Sequence, residues 1–261
     1  MPAAAPKKSS GAIYPDLAGK SVIVTGGGSG IGEAIVRAFV RQGAKVGFID
    51  IAAEPSLKLL EELEGEDAGL RYVEADIRDI ADLRKAIAAL TEAQGAADIL
   101  INNAAHDERH ATPDVTPEFF DERIAVNLKH AFFAAQAVLP GMQAKGCGVI
   151  VNFSSMSWMA GQGGMPVYTA AKSAMIGLTR SLARDYGVHN IRVNAVAPGW
   201  VRTERQVARW LTPEADARRL QAQCLKRWVE PSDIARFVVF LSSDEASACT
   251  AQHYVVDAGW V

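Results

Sequence analysis

A chain of 261 residues, 49% hydrophobic and 22% charged, can bury a sizeable core as one α/β domain or two small ones. Its net charge of −3 gives no electrostatic reason to bind nucleic acid or an anionic membrane, and no apolar run approaches the ~20 residues of a membrane span. Three cysteines (Cys147, Cys224, Cys249) without a CxxC pair argue against a disulfide framework or a thiolate zinc site and fit a reduced, cytoplasmic compartment.

The opening stretch MPAAAPKKSSGAIYP lacks an apolar core long enough for a secretory leader. Residues 1–18 are expected as a flexible tail, and 19–261 as a single domain, since no repeat or linker interrupts them. Lys20–Thr25 is a short β-branched apolar run, hence a buried strand. It turns into GGGSGIG and then a helix with Ile31, Ala34, Ile35, Ala38 and Phe39 on one face, ended by Gly43. Strand, glycine loop and helix N-terminus form a phosphate site: free N–H groups and the positive helix end meet an anion. Gly26, Gly30 and Gly32 let the backbone approach a pyrophosphate and let the helix pack on the strand.

Ala44–Ile49 is the next strand, with Asp50 at its tip, where a carboxylate can accept both hydroxyls of an adenosine ribose. The same charge repels a 2′-phosphate, and no Arg or Lys stands at Gly27–Ser29 or Ile51–Ala52, so NAD is expected over NADP. The competing role for Asp50 is to cap the helix over Glu54–Leu63.

Leu70–Ala75 reads as a third strand ending at Asp76, followed by a helix over Asp79–Gln94. Asp98–Ile101 is a fourth, running into Asn102-Asn103-Ala104-Ala105. Pro117–Ala144 is a long helix with one apolar face, interrupted by Asn127, a buried amide in need of partners. Val149–Phe153 and Ile191–Val196 are the fifth and sixth strands. Val201–Lys226, rich in Arg, Gln and Trp, is expected as short helices covering the site. Pro231–Leu241 is a capped helix and His253–Val256 the last strand. Strands alternating with helices predict a Rossmann-like, doubly wound parallel sheet with helices on both faces.

Three polar residues are spaced for chemistry. Tyr168 and Lys172 are four apart in a helical segment, hence one turn apart on the same face. Ser155 ends the fifth strand, where strand tips present reactive groups. A phenol must fall by about 2–3 pKa units to act as a base near neutrality. Lys172 and an oxidised nicotinamide are the expected sources of that shift. Of the five histidines, His106 and His110 are four apart, but Asp107, Glu108 and Pro113 mark a loop, so no metal site is expected.

TGGGSGIG over residues 25–32, Asp76, Asn102-Asn103-Ala104, Asn127, Ser155, the Tyr168/Lys172 pair and Pro198-Gly199 together resemble the short-chain dehydrogenase/reductase family, in order and at family spacing from Gly19 onward. Ala105 departs from the glycine usual in the family and adds one methyl beside the adenosine side. The resemblance implies a seven-stranded single-domain sheet, usually in a homotetramer. It implies a catalytic set of Asn127, Ser155, Tyr168 and Lys172, with Lys172 on the nicotinamide ribose and Asn127 anchoring a water. It also implies cofactor contacts from Gly26, Ser29, Gly30, Ile31, Asp50, Asp76, Ile77, Asn103, Ala104, Ala105, Tyr168, Lys172, Pro198 and Gly199, with Val201 and Thr203 on the carboxamide.

AIYPDLAGK, NNAAHDERH, DERIAVNL, VNFSSMSW, CLKRWVEPSDIA and VVDAGW are similar to the NAD-dependent aldose 1-dehydrogenases, of which enzymes of D-xylose are the type. L-Arabinose, L-fucose and D-galactose are the other sugars in view. A sugar needs hydroxyl partners and flat apolar surface, which His106, Asp107, Glu108, Arg109, Ser155, Ser157, Trp158, Gln162, Tyr168, Trp200, Arg202 and Gln206 offer. A steroid, acyl or keto-acid carbonyl substrate is the alternative and would want an apolar pocket. A non-catalytic dinucleotide sensor would have a broken catalytic set, whereas all four residues are present. Trp260 is expected to reach toward a neighbouring subunit's site.

Overall fold

The computed structural model describes residues 11–63 and 69–261. Seven parallel strands form one sheet: β1 (Ser21–Thr25), β2 (Lys45–Asp50), β3 (Arg71–Glu74), β4 (Ile99–Asn102), β5 (Gly148–Phe153), β6 (Ile191–Pro198) and β7 (His253–Val256), in the order β3-β2-β1-β4-β5-β6-β7. All seven lie within a residue or two of their expected places. β6 runs further than the sequence suggests, because Ala197 and Pro198 still pair with Val255 and Val256 beyond the last rung to β5, Phe153 with Val196.

Every residue of β1 and β5 is buried, as a parallel sheet covered on both faces requires. On one face α1 (Gly30–Val40) and α9 (Pro231–Ser242) pack Ile35, Phe39, Ile234 and Val238 against Val22, Val24 and Val151. On the other, α3 (Ile80–Gln94), α5 (His130–Lys145) and α6 (Pro166–Tyr186) bring Leu83, Ile87, Val138 and Leu182 onto Ile23, Leu100 and Ile150. Helix α2 (Ala53–Glu62) follows β2, and α4 (Pro117–Ile124) precedes α5.

The helix starts follow the sequence. The Asp79 carboxylate accepts from the Ala81 and Asp82 N–H groups at 2.8 and 3.3 Å, and Glu230 and Asp233 form a capping box at α9. The long helix expected over 117–144 is continuous but holds a π-turn at Ala125–Lys129, centred on the fully buried Asn127.

The expected tail is corrected from Gly11 onward. Tyr14 N–H donates to Gln42 Oε1 at 2.7 Å, Gln42 Nε2 donates to Ala12 O at 3.0 Å, and Leu17 joins the core. Residues 1–10 lie outside the described residues. No helix among the described residues is long and apolar enough to cross a membrane.

Strand order reverses between β1 and β4, so the chain leaves the sheet in opposite directions there and opens a crevice at the strands' carboxyl ends. The expected covering segment is α7 (Glu204–Trp210) and α8 (Pro213–Ala222), each capped by a threonine, Thr203 and Thr212.

Candidate active site

One cleft of about 2040 Å³ runs along the carboxyl ends of the strands, and both halves of the site open into it. At one end, β1 turns through Gly26–Ser29 into α1. Gly26 and Gly30 have φ of +69° and +59°, where a side chain is strained, and a Cβ on Gly32 would collide with the Gly26 carbonyl. Ser29 caps α1 with no side-chain hydrogen bond, which leaves the first-turn N–H groups free for an anion. Asn103 Nδ2 holds the loop from behind, donating to the Thr25 and Gly26 carbonyls at 3.1 and 2.8 Å. These features fit a dinucleotide pyrophosphate.

Asp50 accepts the Gly28 N–H on Oδ2 and the Ala52 N–H on Oδ1, both at 2.9 Å. It is not a helix cap: Ala52 holds that position in α2. Asp76 faces the same cleft, chelated by Arg78, whose hydrogen bonds hold its carboxyl below the ordinary range against the opposing effect of burial. The expected cofactor residues Gly26, Ser29, Gly30, Ile31, Asp50, Asp76, Ile77, Asn103, Ala104, Ala105, Tyr168, Lys172, Pro198, Gly199, Val201 and Thr203 all line this cleft. The Thr203 hydroxyl also accepts the Gln206 N–H at 3.2 Å as the α7 cap. Tertiary packing adds two cations the sequence did not place here, Arg37 and Lys58. Arg37 is paired with Glu33 at 2.9 Å and with Glu62, and Lys58 reaches Glu62 at 3.9 Å.

Midway along the cleft, β5 ends and delivers Ser155, which caps the short turn Met156–Trp158 and accepts the Ser157 N–H at 3.2 Å. Tyr168, on the first turns of α6, hydrogen-bonds to Ser155. Burial pushes its phenol up to about 12; the nearby Asp107 carboxylate adds to this, while Ser155 and Arg205 oppose it. Lys172 is 1% exposed and donates to the Phe153 carbonyl at 2.9 Å. Desolvation brings its ammonium down to about 7. The expectation that Lys172 sets the phenol low is therefore not what the apoprotein's geometry gives: burial dominates both groups.

Asn127 does not line the cleft. Its Oδ1 accepts the His106 N–H at 2.9 Å, and its Nδ2 donates to the carbonyls of His106 and Arg123 at 3.1 and 3.0 Å. It thus fixes the loop that follows β4 from behind.

Of the residues expected to meet substrate, His106, Asp107, Arg109, Ser155, Ser157, Gln162, Tyr168, Trp200, Arg202 and Gln206 line the cleft; Trp158 and Glu108 do not. The Trp158 indole N–H instead donates to Ser154 Oγ at 3.1 Å, its ring lies over His253, and Ser154 Oγ donates to the Lys172 carbonyl at 2.7 Å. Trp260 lines the cleft of its own chain, held there by Asp257, whose carboxylate accepts the Gly259 and Val261 N–H groups at 2.8 and 2.9 Å. Arg205, Trp210 and Arg123 also face the cleft and were missed, because nothing in local spacing marks a loop arginine as inward-facing. Among the described residues no group of His, Cys, Asp and Glu could hold a metal ion.

A doubly wound sheet, an uncapped glycine-loop helix and a Ser–Tyr–Lys set opening into one cleft define a dinucleotide-dependent oxidoreductase of a small molecule. The chain belongs to the short-chain dehydrogenase/reductase family: residues 26–261 match the family model described as enoyl-(acyl carrier protein) reductase. It is 47% identical over 251 residues to D-xylose 1-dehydrogenase of Caulobacter vibrioides, covering 96% of this chain and 99% of that one. It is 47% identical over 247 residues to the "Probable galactose dehydrogenase GalD" of Rhizobium meliloti, covering 94% and 96%. Among solved structures, a short-chain dehydrogenase from Burkholderia cenocepacia in complex with NADP superposes with a TM-score of 0.86 at 31% identity, over 94% of this chain and 99% of that one.

Proposed function

We propose that the enzyme oxidises the anomeric C1 of a cyclic aldose to the lactone, with NAD as acceptor. The observation that carries this reading is the polarity of the cleft beyond Ser155 and Tyr168. Two buried polar atoms there, Ser157 Oγ and Trp210 Nε1, have no protein hydrogen-bond partner among the described residues. Buried polar groups are normally satisfied, and a polyhydroxylated ring would satisfy these. Trp200 and Trp260 add flat apolar surface to the same walls. The kinship with D-xylose 1-dehydrogenase supports the same reading. D-Xylose, L-arabinose, L-fucose and D-galactose are the candidate sugars.

When bound, NAD supplies the hydride acceptor and a pyridinium charge. Tyr168, as phenolate, takes the proton of the anomeric hydroxyl while the C1–H leaves as hydride. Ser155 donates to the same oxygen and holds it against Tyr168. Lys172 is assigned to the nicotinamide ribose and Asn127 to a water in the outward proton path. General-base help of this kind is worth typically ~10²–10⁴-fold. Asp50 beside the glycine loop, with Arg37 already paired to Glu33 and Glu62, supports NAD over NADP. We assign residues 19–261 to one domain, with 201–226 covering the site. We also infer a homotetramer in the cytoplasm: Phe120 and Phe132 on α4 and α5 are each 45% exposed, as a self-association face would leave them in one subunit.

The test is a panel of aldoses, hydroxysteroids and 3-oxoacyl esters with NAD and NADP, followed by reduced-nucleotide absorbance. Turnover of an aldose with lactone formation is expected; turnover confined to the steroid or acyl arm would transfer the enzyme to the alternative reading.

A further inference from the structure

The cleft is covered by a helix that is held down at named points. Asp107, on the loop after β4, is gripped by two successive residues of α7. Its Oδ1 lies 3.0 Å from Arg205 Nη2, a buried nitrogen, and its Oδ2 accepts from Gln206 Nε2 at 2.6 Å. Gln206 Oε1 in turn accepts from Trp200 Nε1 at 2.8 Å. At the far end of α7, the Arg109 guanidinium lies 4.3 Å from the centre of the Trp210 ring. Both Asp107 oxygens are therefore engaged by the cover.

We propose that Arg205 is a positioning residue which couples closure of α7 to activation of Tyr168, by bringing a guanidinium against the carboxylate that faces the phenol. This rests on the reading of Tyr168 as the base and deepens it. A carboxylate near a phenol keeps the phenol protonated, and a paired carboxylate does so less. Asp107 and Arg205 act on the Tyr168 hydroxyl in those opposite senses.

The groups around that hydroxyl come from every packed element. Ser155 comes from β5 and Lys172 from α6, its ammonium turned to Phe153. Asp107 and His106 come from the β4 loop, and burial, then Arg205 and Arg123, keeps His106 toward its neutral form. Arg123 from α4 is occupied with His106 and Glu122. With α7 lifted, Asp107 loses both partners and faces Tyr168 alone, so the base is silent in an open cleft. With α7 down, the charge is answered and the base is released where water is excluded.

The experiment compares Arg205→Gln, Asp107→Asn, the double variant and Arg205→Lys. One readout is the pH profile of kcat/KM. The other is the absorbance titration of the Tyr168 phenolate, isolated by subtracting Tyr168→Phe. Arg205→Gln is expected to move both upward by about 0.5–1 pH unit, and Asp107→Asn to move both downward. The double variant should return near the wild type, and Arg205→Lys should restore it. A clasp that only holds the cover would raise KM alike in both single variants and leave the titration in place. That outcome, or shifts of the same sign in both, overturns the proposal. The phenolate titration needs no substrate, so it stands apart from any failure of the aldose reading.

Discussion

The ammonium of Lys172 lies 5.9 Å from the centre of the Tyr168 ring and is bonded to the Phe153 carbonyl, not to the phenol oxygen. The two residues share a helix face, as their spacing requires, but they meet ring to ammonium. The phenol takes its direct hydrogen bond from Ser155 instead. Removing the phenol oxygen should therefore leave the packing of α6 intact and abolish the chemistry. Tyr168→Phe is expected to lose at least ~10²-fold in kcat while binding NADH nearly as the wild type does, by fluorescence titration. A variant keeping more than a few per cent of wild-type turnover would remove Tyr168 from the base's role.

The charge states have a pH consequence. Burial holds the phenol up near about 12 and Lys172 down near about 7. The phenolate fraction grows with every unit of pH, so kcat/KM for aldose oxidation should climb through the alkaline range. Rate measurements in overlapping buffers would expose a flat or falling profile above neutrality, and either would contradict the assignment.

Gly32 has no room for a methyl group, since its Cβ would overlap the carbonyl oxygen of Gly26, which is backbone and cannot swing aside. Gly32→Ala should deform the loop that receives the pyrophosphate. A loss of NADH affinity of more than ~10-fold, about 1.4 kcal/mol, is expected in a folded variant. Unchanged affinity would mean that the loop is not the cofactor's cradle.

Asp50 joins the glycine loop to the end of β2 through Gly28. Asp50→Asn keeps the size but removes the charge that faces the adenosine ribose. We expect the ratio of kcat/KM for NAD over NADP to fall by about tenfold, one pKa unit's worth of interaction. A wild-type preference for NADP, measured in the same assay, would refute the choice of nucleotide.

His130 offers a stability test apart from the chemistry. Its ring is fully buried, near the Val126 and Ala125 carbonyls but without good hydrogen-bond geometry, and desolvation lowers its pKa from 6.5 to about 3. The unfolded chain then binds a proton below about pH 6.5 that the folded chain refuses. Stability is lost as pH falls from there toward 3, by on the order of 4 kcal/mol in full. His130→Leu should flatten that acid limb in urea unfolding; an unchanged slope would show that His130 is protonated in the fold.

The sequence by itself determined the sheet, because buried β-branched runs such as Ser21–Thr25 and Gly148–Phe153 can only be central parallel strands, and the glycines between β1 and α1 leave one backbone path. It also determined that Ser155, Tyr168 and Lys172 share a site, since strand tip and helix turn are local geometry. Tertiary structure alone decided which loop residues point inward. Trp158 looks like a sugar platform in the chain yet turns back to Ser154 and His253, whereas Arg205 looks like solvent-facing charge yet closes on Asp107. It also decided the protonation of the site. A pKa depends on what burial removes and which charges arrive from distant segments, and neither quantity is written in the spacing of neighbours along a chain.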